Sequence, residues 1–274
     1  MLRNIEDLHG FTIEALDGDI GAVTDCYFDD VSYAVRYVLV DTGRWLSGRK
    51  VLLSPLSFRA LDWEHRRISV ALTKAQVEAS PAIDTQEPVS RQHETIYFGH
   101  YGRAPYWAGT YLWGASPYPY PAPGPAPSAA ELERERRWNW ETMDRNDPRL
   151  RSCRETTGHH VRATDGEVGH VRDFLMDDRS WAIRDLLVDT TNWWPGEKVV
   201  VAPEWIERVD WDHSTVHVTV TRAEIKNSPA YDPYRPSARA HEGGEDAADH
   251  LEKPGPGHDG QVRGEDGAPG RGDA

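Results

Sequence analysis

The chain has 274 residues, two cysteines and a formal net charge of −14 at pH 7. Binding of phosphate groups requires clustered lysine and arginine, so this acidic balance argues against direct contact with nucleic acid or anionic lipid. The sequence has neither a run of ~20 apolar residues that could insert into a membrane nor the apolar segment of a secretory signal, and we therefore expect a cytoplasmic protein.

Residues 1–84 predict a small all-β domain, because short apolar runs alternate with turn residues. The sequence Asp17-Gly18-Asp19 is typical of a hairpin turn, since glycine adopts a positive φ without strain. The nearly continuous apolar run at residues 33–40 predicts a central strand. The remaining strands are predicted at residues 11–15, 23–29, 51–53, 57–61 and 68–72.

A short helix is predicted to end this domain. Thr73 followed by Gln76 is a capping-box pattern, Val77 would anchor the helix on the core, and Pro81 would end it. Five or six short strands in ~70 residues favour a small closed or nearly closed barrel, because closure removes exposed strand edges.

Residues 85–149 predict a linker, because tyrosine and tryptophan are interleaved there with glycine and proline. Residues 117–127 are rich in proline and are expected to be extended and unpacked. The charged segment 131–140 is compatible with a short helix.

Residues 150–232 repeat residues 2–84 without a gap, at a constant shift of 148 positions. The turn Asp165-Gly166-Glu167 matches the first hairpin turn, and Thr221 with Glu224 repeats the capping box. The sequence therefore predicts a second domain at residues 150–234, related to the first by a pseudo-two-fold axis. Residues 235–274 are poor in apolar residues and predict a disordered acidic tail.

The chain resembles the PRC-barrel family in the pattern that both copies share. In the first copy this pattern comprises Asp17-Gly18-x-x-Gly21, Val40-Asp41-Thr42, Trp45 with Gly48-x-Lys50, and the final Thr73 to Pro81 segment. The family includes the cytoplasmic domain of the photosynthetic reaction-centre H subunit, the C-terminal domain of a ribosome maturation factor and free-standing bacterial proteins. The resemblance implies two tandem PRC-barrel-like domains and brings no catalytic residues with it.

Three aspartates recur in both copies at strand ends and turns. Carboxylate clusters can hold a divalent cation, but aspartate at a turn usually caps backbone N–H groups, and we favour the capping role. These residues are Asp25, Asp29 and Asp30 in the first copy and Asp173, Asp177 and Asp178 in the second.

No catalytic motif occurs in the sequence, and we predict neither an enzyme nor a catalytic residue, a cofactor or a metal ligand. His213 and His217 would share one face of a strand, but the first copy has Ser69 in place of the second histidine. Cys26 and Cys153 do not correspond between the copies, so neither a disulfide nor a zinc cluster is expected.

Trp193, Trp194 and Trp205 are the candidate partner-binding residues. The second copy has tryptophan at two positions where the first copy has Leu46 and Ser57, and tryptophan is enriched at interfaces. The alternative is that these rings fill the end of a barrel. The chain's own aromatic linker is also a candidate to bind this surface.

These observations favour a non-catalytic scaffold that binds protein partners and can self-associate through its barrels. Two other functions stay open. One is an RNA-processing or ribosome-assembly factor, by analogy with the ribosome maturation factor. The other is a membrane-peripheral partner of an electron-transfer complex, by analogy with the reaction-centre subunit.

Overall fold

The computed structural model describes residues 1–81, 89, 91–120, 129, 133, 150–190, 198–228 and 231. All of them belong to one compact unit, Met1–Ala238. The predicted tail, the predicted helix at 131–140 apart from residue 133, and most of the proline-rich run lie outside the described residues. No helix in the described part of the chain has the length and apolar character needed to cross a membrane.

The first copy supplies most of one seven-stranded sheet. The strands of this copy are β1 (Leu2–Asn4), β2 (Thr12–Ala15), β3 (Gly18–Asp29), β4 (Ala34–Asp41), β5 (Lys50–Leu53), β6 (Phe58–Asp62) and β7 (Arg67–Val70). Their order in the sheet is β5-β4-β3-β2-β7-β6. Neighbouring strands are antiparallel except β2 and β7, which are parallel.

The second copy supplies most of an equivalent sheet. The strands of this copy are β8 (Leu150–Ser152), β9 (His160–Ala163), β10 (Gly166–Asp177), β11 (Ile183–Asp189), β12 (Lys198–Val201), β13 (Ile206–Asp210) and β14 (Thr215–Val218). Their order in the sheet is β12-β11-β10-β9-β14-β13. The predicted β-rich architecture of two similar units is therefore confirmed.

Both predicted capping boxes are present. The Thr73 hydroxyl accepts from the backbone N–H of Gln76, whose side chain accepts from the backbone N–H of Thr73. Thr221 and Glu224 repeat the arrangement, and the helix anchors Val77 and Ile225 are fully buried. Within the described residues, the α-helices are α1 (Lys74–Glu78), α2 (Arg91–His100), α3 (Cys153–Thr156) and α4 (Arg222–Lys226).

The first strand of each copy is exchanged into the sheet of the other copy. Strand β1 pairs with β10, with Leu2 opposite Asp177. Strand β8 pairs with β3, with Leu150 opposite Asp29. Each of these contacts maps onto the other through the 148-residue shift, so the exchange is reciprocal and each sheet is completed by three residues of the opposite copy.

The two sheets also meet directly on the pseudo-two-fold axis. Ala34 forms an antiparallel bridge with Ala182, its own counterpart. On either side, Val35 N–H donates to the Trp181 carbonyl at 2.8 Å and Ile183 N–H donates to the Tyr33 carbonyl at 2.7 Å. These two bonds are symmetry equivalents, and they join the copies into one continuous core.

Candidate interaction surface

The linker places an aromatic segment, residues 91–120, on one face of the first copy. Helix α2 buries Tyr97 and Phe98, and the Tyr97 ring meets the Tyr37 ring edge-on with centroids 4.9 Å apart. The Tyr97 hydroxyl accepts from the backbone N–H of Ser54 at 2.9 Å. The sequence did not predict this helix, because its glycine-rich and aromatic surroundings resemble a loop.

A buried arginine of the first copy organises the next part of this segment. The Arg36 guanidinium donates to the Leu112 carbonyl and, at 2.8 Å, to the Ser32 hydroxyl. Its central carbon lies 3.7 Å from the ring centroid of Tyr106 and 5.0 Å from that of Trp113. A buried cation needs such compensation. The buried carboxylate of Asp29, 3.4 Å from the guanidinium, supplies the opposite charge, and the rings and the carbonyl come from the linker segment.

A buried carboxylate of the linker segment faces the same region. Glu94 accepts from the Tyr37 hydroxyl at 3.1 Å and from the Tyr106 hydroxyl at 3.0 Å. Burial and the negative charge of Glu94 raise the pKa of Tyr37 well above its usual value. The hydroxyl therefore stays protonated and keeps donating to Glu94, which holds helix α2 against the sheet.

The far end of the segment reaches the second copy. Trp113 Nε1 donates to the Ser180 carbonyl at 2.7 Å, and the Trp181 indole donates to the Tyr120 hydroxyl at 3.4 Å. Tyr120 is buried although it belongs to the run expected to be unpacked, because its ring packs near Phe58.

The equivalent face of the second copy has different side chains. Ser57 and Phe58 in the first copy are buried, with 0% and 4% of their surface exposed. Their counterparts, Trp205 and Ile206, keep part of their surface exposed. The duplication has thus produced one face that is filled by the chain's own aromatic segment and one that presents a partly exposed tryptophan.

Of the three predicted partner-binding residues, the structure describes Trp205. It ends the 3-10 turn Pro203–Trp205, and its side chain packs partly against the core. Its backbone carbonyl accepts from Thr219 N–H at 2.8 Å. Trp193 and Trp194 lie outside the described residues, so their predicted role stays a prediction.

Two of the recurrent aspartates, Asp29 and Asp177, accept hydrogen bonds from backbone N–H groups as turn caps, as expected. Asp29 accepts from the N–H groups of Val31 and Ser32, and Asp177 accepts from those of Arg179 and Ser180. The other four contact backbone N–H groups, side chains or the N-terminal ammonium, and they are Asp25, Asp30, Asp173 and Asp178.

Asp173 differs from its counterpart Asp25 in one contact. The Ser152 hydroxyl donates to Asp25 Oδ2, whereas Asp173 Oδ2 is buried without a donor among the described residues. The residue equivalent to Ser152 is Asn4, whose amide oxygen instead accepts from Tyr231. Burial, assisted by nearby negative charges, raises the pKa of Asp173 from 3.8 to about 6.

We expect Asp173→Asn to remove the loss of folding stability that occurs when the buried carboxyl group of Asp173 ionises. Between about pH 4 and pH 6 the folded state retains a proton that the unfolded state has lost, so the contribution of Asp173 to stability falls as pH rises. Above this window the neutral amide should therefore be more stable, by up to about 3 kcal/mol. Urea unfolding of wild type and variant from pH 4 to 8 measures the difference.

The matched variant is Asn4→Ser, which gives Asp173 a hydroxyl donor like the one that Ser152 provides to Asp25. It should lower the pKa of Asp173 and stabilise the protein more at pH 7 than at pH 4. If the stability curves of wild type and Asp173→Asn ran parallel across this range, the carboxylate would not carry the penalty.

The chain matches no family model, and a comparison with curated proteins finds no significant relative.

Proposed function

We propose that the chain is a non-catalytic scaffold in which two fused PRC-barrel-like modules bind a protein partner in the cytoplasm. The observation that carries the proposal is the contrast between the two equivalent faces. One accommodates the aromatic segment 91–120 of the same chain, and the other presents Trp205 and Ile206 partly exposed.

The segment bound to the first copy indicates what kind of partner suits this fold. It contributes a helix whose aromatic rings pack on the sheet and whose buried carboxylate accepts from tyrosine hydroxyls. We infer that the second copy binds a partner segment that also contributes aromatic or apolar side chains, with Trp205 as the central contact. Tryptophan anchors commonly dominate the free energy of binding at such interfaces.

The PRC-barrel assignment is supported by the strand order and by the two capped helices. In each copy the ends of the sheet path, β5 and β6 or β12 and β13, are successive strands joined by a short connection with a 3-10 turn. Such ends would have to approach for the sheet to close as a barrel. Closure remains part of the proposal.

The test is a crosslinking pull-down from the native cell with the full chain, followed by titration of the purified partner. We expect Trp205→Ser, which installs the residue of the first copy, to weaken partner binding by about 30-fold, equivalent to about 2 kcal/mol. Trp194→Ala should weaken it as well. The control Leu46→Ala, at the first-copy position equivalent to Trp194, should bind as wild type does.

Three outcomes would count against this function. Wild-type affinity of Trp205→Ser combined with a lower melting temperature would make Trp205 a core residue. Loss of the partner after nuclease treatment would favour the RNA-linked or ribosome-assembly function. Co-sedimentation of the chain with membranes would favour the membrane-peripheral one.

A further inference from the structure

Two histidines and a glutamate of the second copy come together on the hairpin formed by β9 and β10. His160 lies directly opposite His170 in the antiparallel register, and their ring centroids are 4.5 Å apart. Glu167 Oε1 lies 3.2 Å from His160 Nδ1. One ligand atom from each of the three residues lies within 4.8 Å of the other two.

A β-bulge creates this arrangement. Residues 167 and 170 are three apart, and in a regular strand they would point to opposite faces of the sheet. The pairing shifts by one residue between Glu167 and Gly169. The extra residue returns both side chains to one face, which is how bulges re-aim side chains. Residue spacing alone predicts no metal ligand here, because it fits no motif unless the bulge is known.

The geometry points to a site for a divalent transition-metal ion, and we propose that His160, Glu167 and His170 bind Zn²⁺. Two imidazoles and one carboxylate form a typical zinc ligand set. Ligand atoms of one tetrahedral zinc ion lie about 3.3 Å apart, given bonds of about 2.0–2.1 Å. The existing separations therefore require only small side-chain rotations.

The surroundings leave space for further ligands. The side chains of His160 and Glu167 are 52% and 54% exposed. His170 lines a cavity of about 290 Å³ with Thr157, Gly158, Arg172 and Asp189, and Arg172 pairs with Glu6 at 3.2 Å. Water or an added ligand could complete the coordination sphere from this side. Arg162 lies opposite Glu167 in the register of β9 and β10.

The first copy contains the same bulge without the ligand set. The positions equivalent to His160 and His170 are Thr12 and Ala22, and Asp19 occupies the position of Glu167. Asp19 there pairs with Arg67 at 3.1 Å, whereas the second copy has Thr215 in place of that arginine. The second copy thus has two histidines where the first has Thr12 and Ala22, and it has no counterpart of Arg67, so the two copies should differ in their affinity for metal.

The test is titration of the full chain with Zn²⁺ by calorimetry, together with visible absorption spectroscopy of the Co²⁺-substituted protein. We expect one tight equivalent per chain and Co²⁺ bands of a nitrogen and oxygen site. His170→Ala and Glu167→Gln should each weaken Zn²⁺ binding at least tenfold, because loss of a direct ligand exceeds the effect of an outer-shell change. The double variant His160→Thr and His170→Ala, which restores the first-copy residues, should lose this equivalent.

His213→Ala is the control, because His213 contacts Asp210 in an exposed pair that the first copy repeats as His65 and Asp62. It should bind Zn²⁺ as wild type does. Circular dichroism checks that each variant is folded, which the exposure of the ligands favours. Equal Zn²⁺ affinity of the wild type and the folded double variant, or loss of binding in His213→Ala alone, would overturn the proposal.

Discussion

Trp181→Ala should lower the free energy of unfolding by about 3–5 kcal/mol, the usual loss when a buried tryptophan is truncated. The Trp181 side chain is fully buried, and its ring meets Phe58 of the first copy edge-on with centroids 5.3 Å apart. Its indole donates to Tyr120 of the linker, and its carbonyl accepts from Val35 N–H. One side chain therefore joins both copies and the linker, and its loss should destabilise all three together in a single urea transition.

Two further variants separate packing from backbone effects. Trp181 has a φ of 61°, a conformation that is unfavourable for residues with a Cβ atom. Trp181→Gly should therefore be no less stable than Trp181→Ala, the reverse of the usual order. Trp181→Tyr, which installs the equivalent residue Tyr33, should lose less than either. A loss below about 1 kcal/mol for Trp181→Ala would contradict the structural role.

Gly169→Ala should destabilise the protein by about 3 kcal/mol, a large value for the addition of one methyl group. A Cβ atom at Gly169 would overlap the carbonyl oxygen and carbon of Asp189 on the neighbouring strand. A backbone carbonyl cannot rotate away as a side chain can, so β10 and β11 would have to separate. Gly21→Ala should behave in the same way, because its Cβ would overlap the carbonyl of Asp41.

The control is Gly99→Ala in helix α2. Gly99 is exposed, and a Cβ atom there would meet no heavy atom within 4 Å. Because alanine has the higher helix propensity, this variant should be as stable as wild type or slightly more stable. Thermal unfolding of the three variants checks the order, and a Gly169→Ala protein that melts with wild type would show that the strands can separate at little cost.

The sequence predicted local structure well wherever the signal lay within a few residues. The two capping boxes, the anchors Val77 and Ile225 and the central strands of both copies were all evident from residue type and spacing. The start of β3 was missed: it was predicted near residue 23 and lies at Gly18. The bulge beside Gly21 lets the strand continue through a segment that lacks regular alternation.

The partner of each strand could not be predicted in this way. Residues 2–4 are as compatible with their own sheet as with the sheet of the second copy, since the paired residues are equivalent in both. The position of the linker helix depends on buried polar contacts such as Glu94 with Tyr37, which join residues far apart in sequence. The cluster of His160, Glu167 and His170 likewise depends on a bulge that residue spacing does not reveal.

The exchange of β1 and β8 has a consequence for how the protein is made. The ribosome synthesises Leu2–Asn4 before their partners, residues 175–177, which follow about 170 residues later. At about 5–20 residues per second, this strand waits on the order of ten seconds or longer before its partner exists. The first copy also cannot complete its sheet until Leu150–Ser152 emerge. The nascent chain therefore exposes an unfinished sheet edge while the residues between Asp29 and Leu150 are synthesised, and in this period a chaperone would protect it from aggregation.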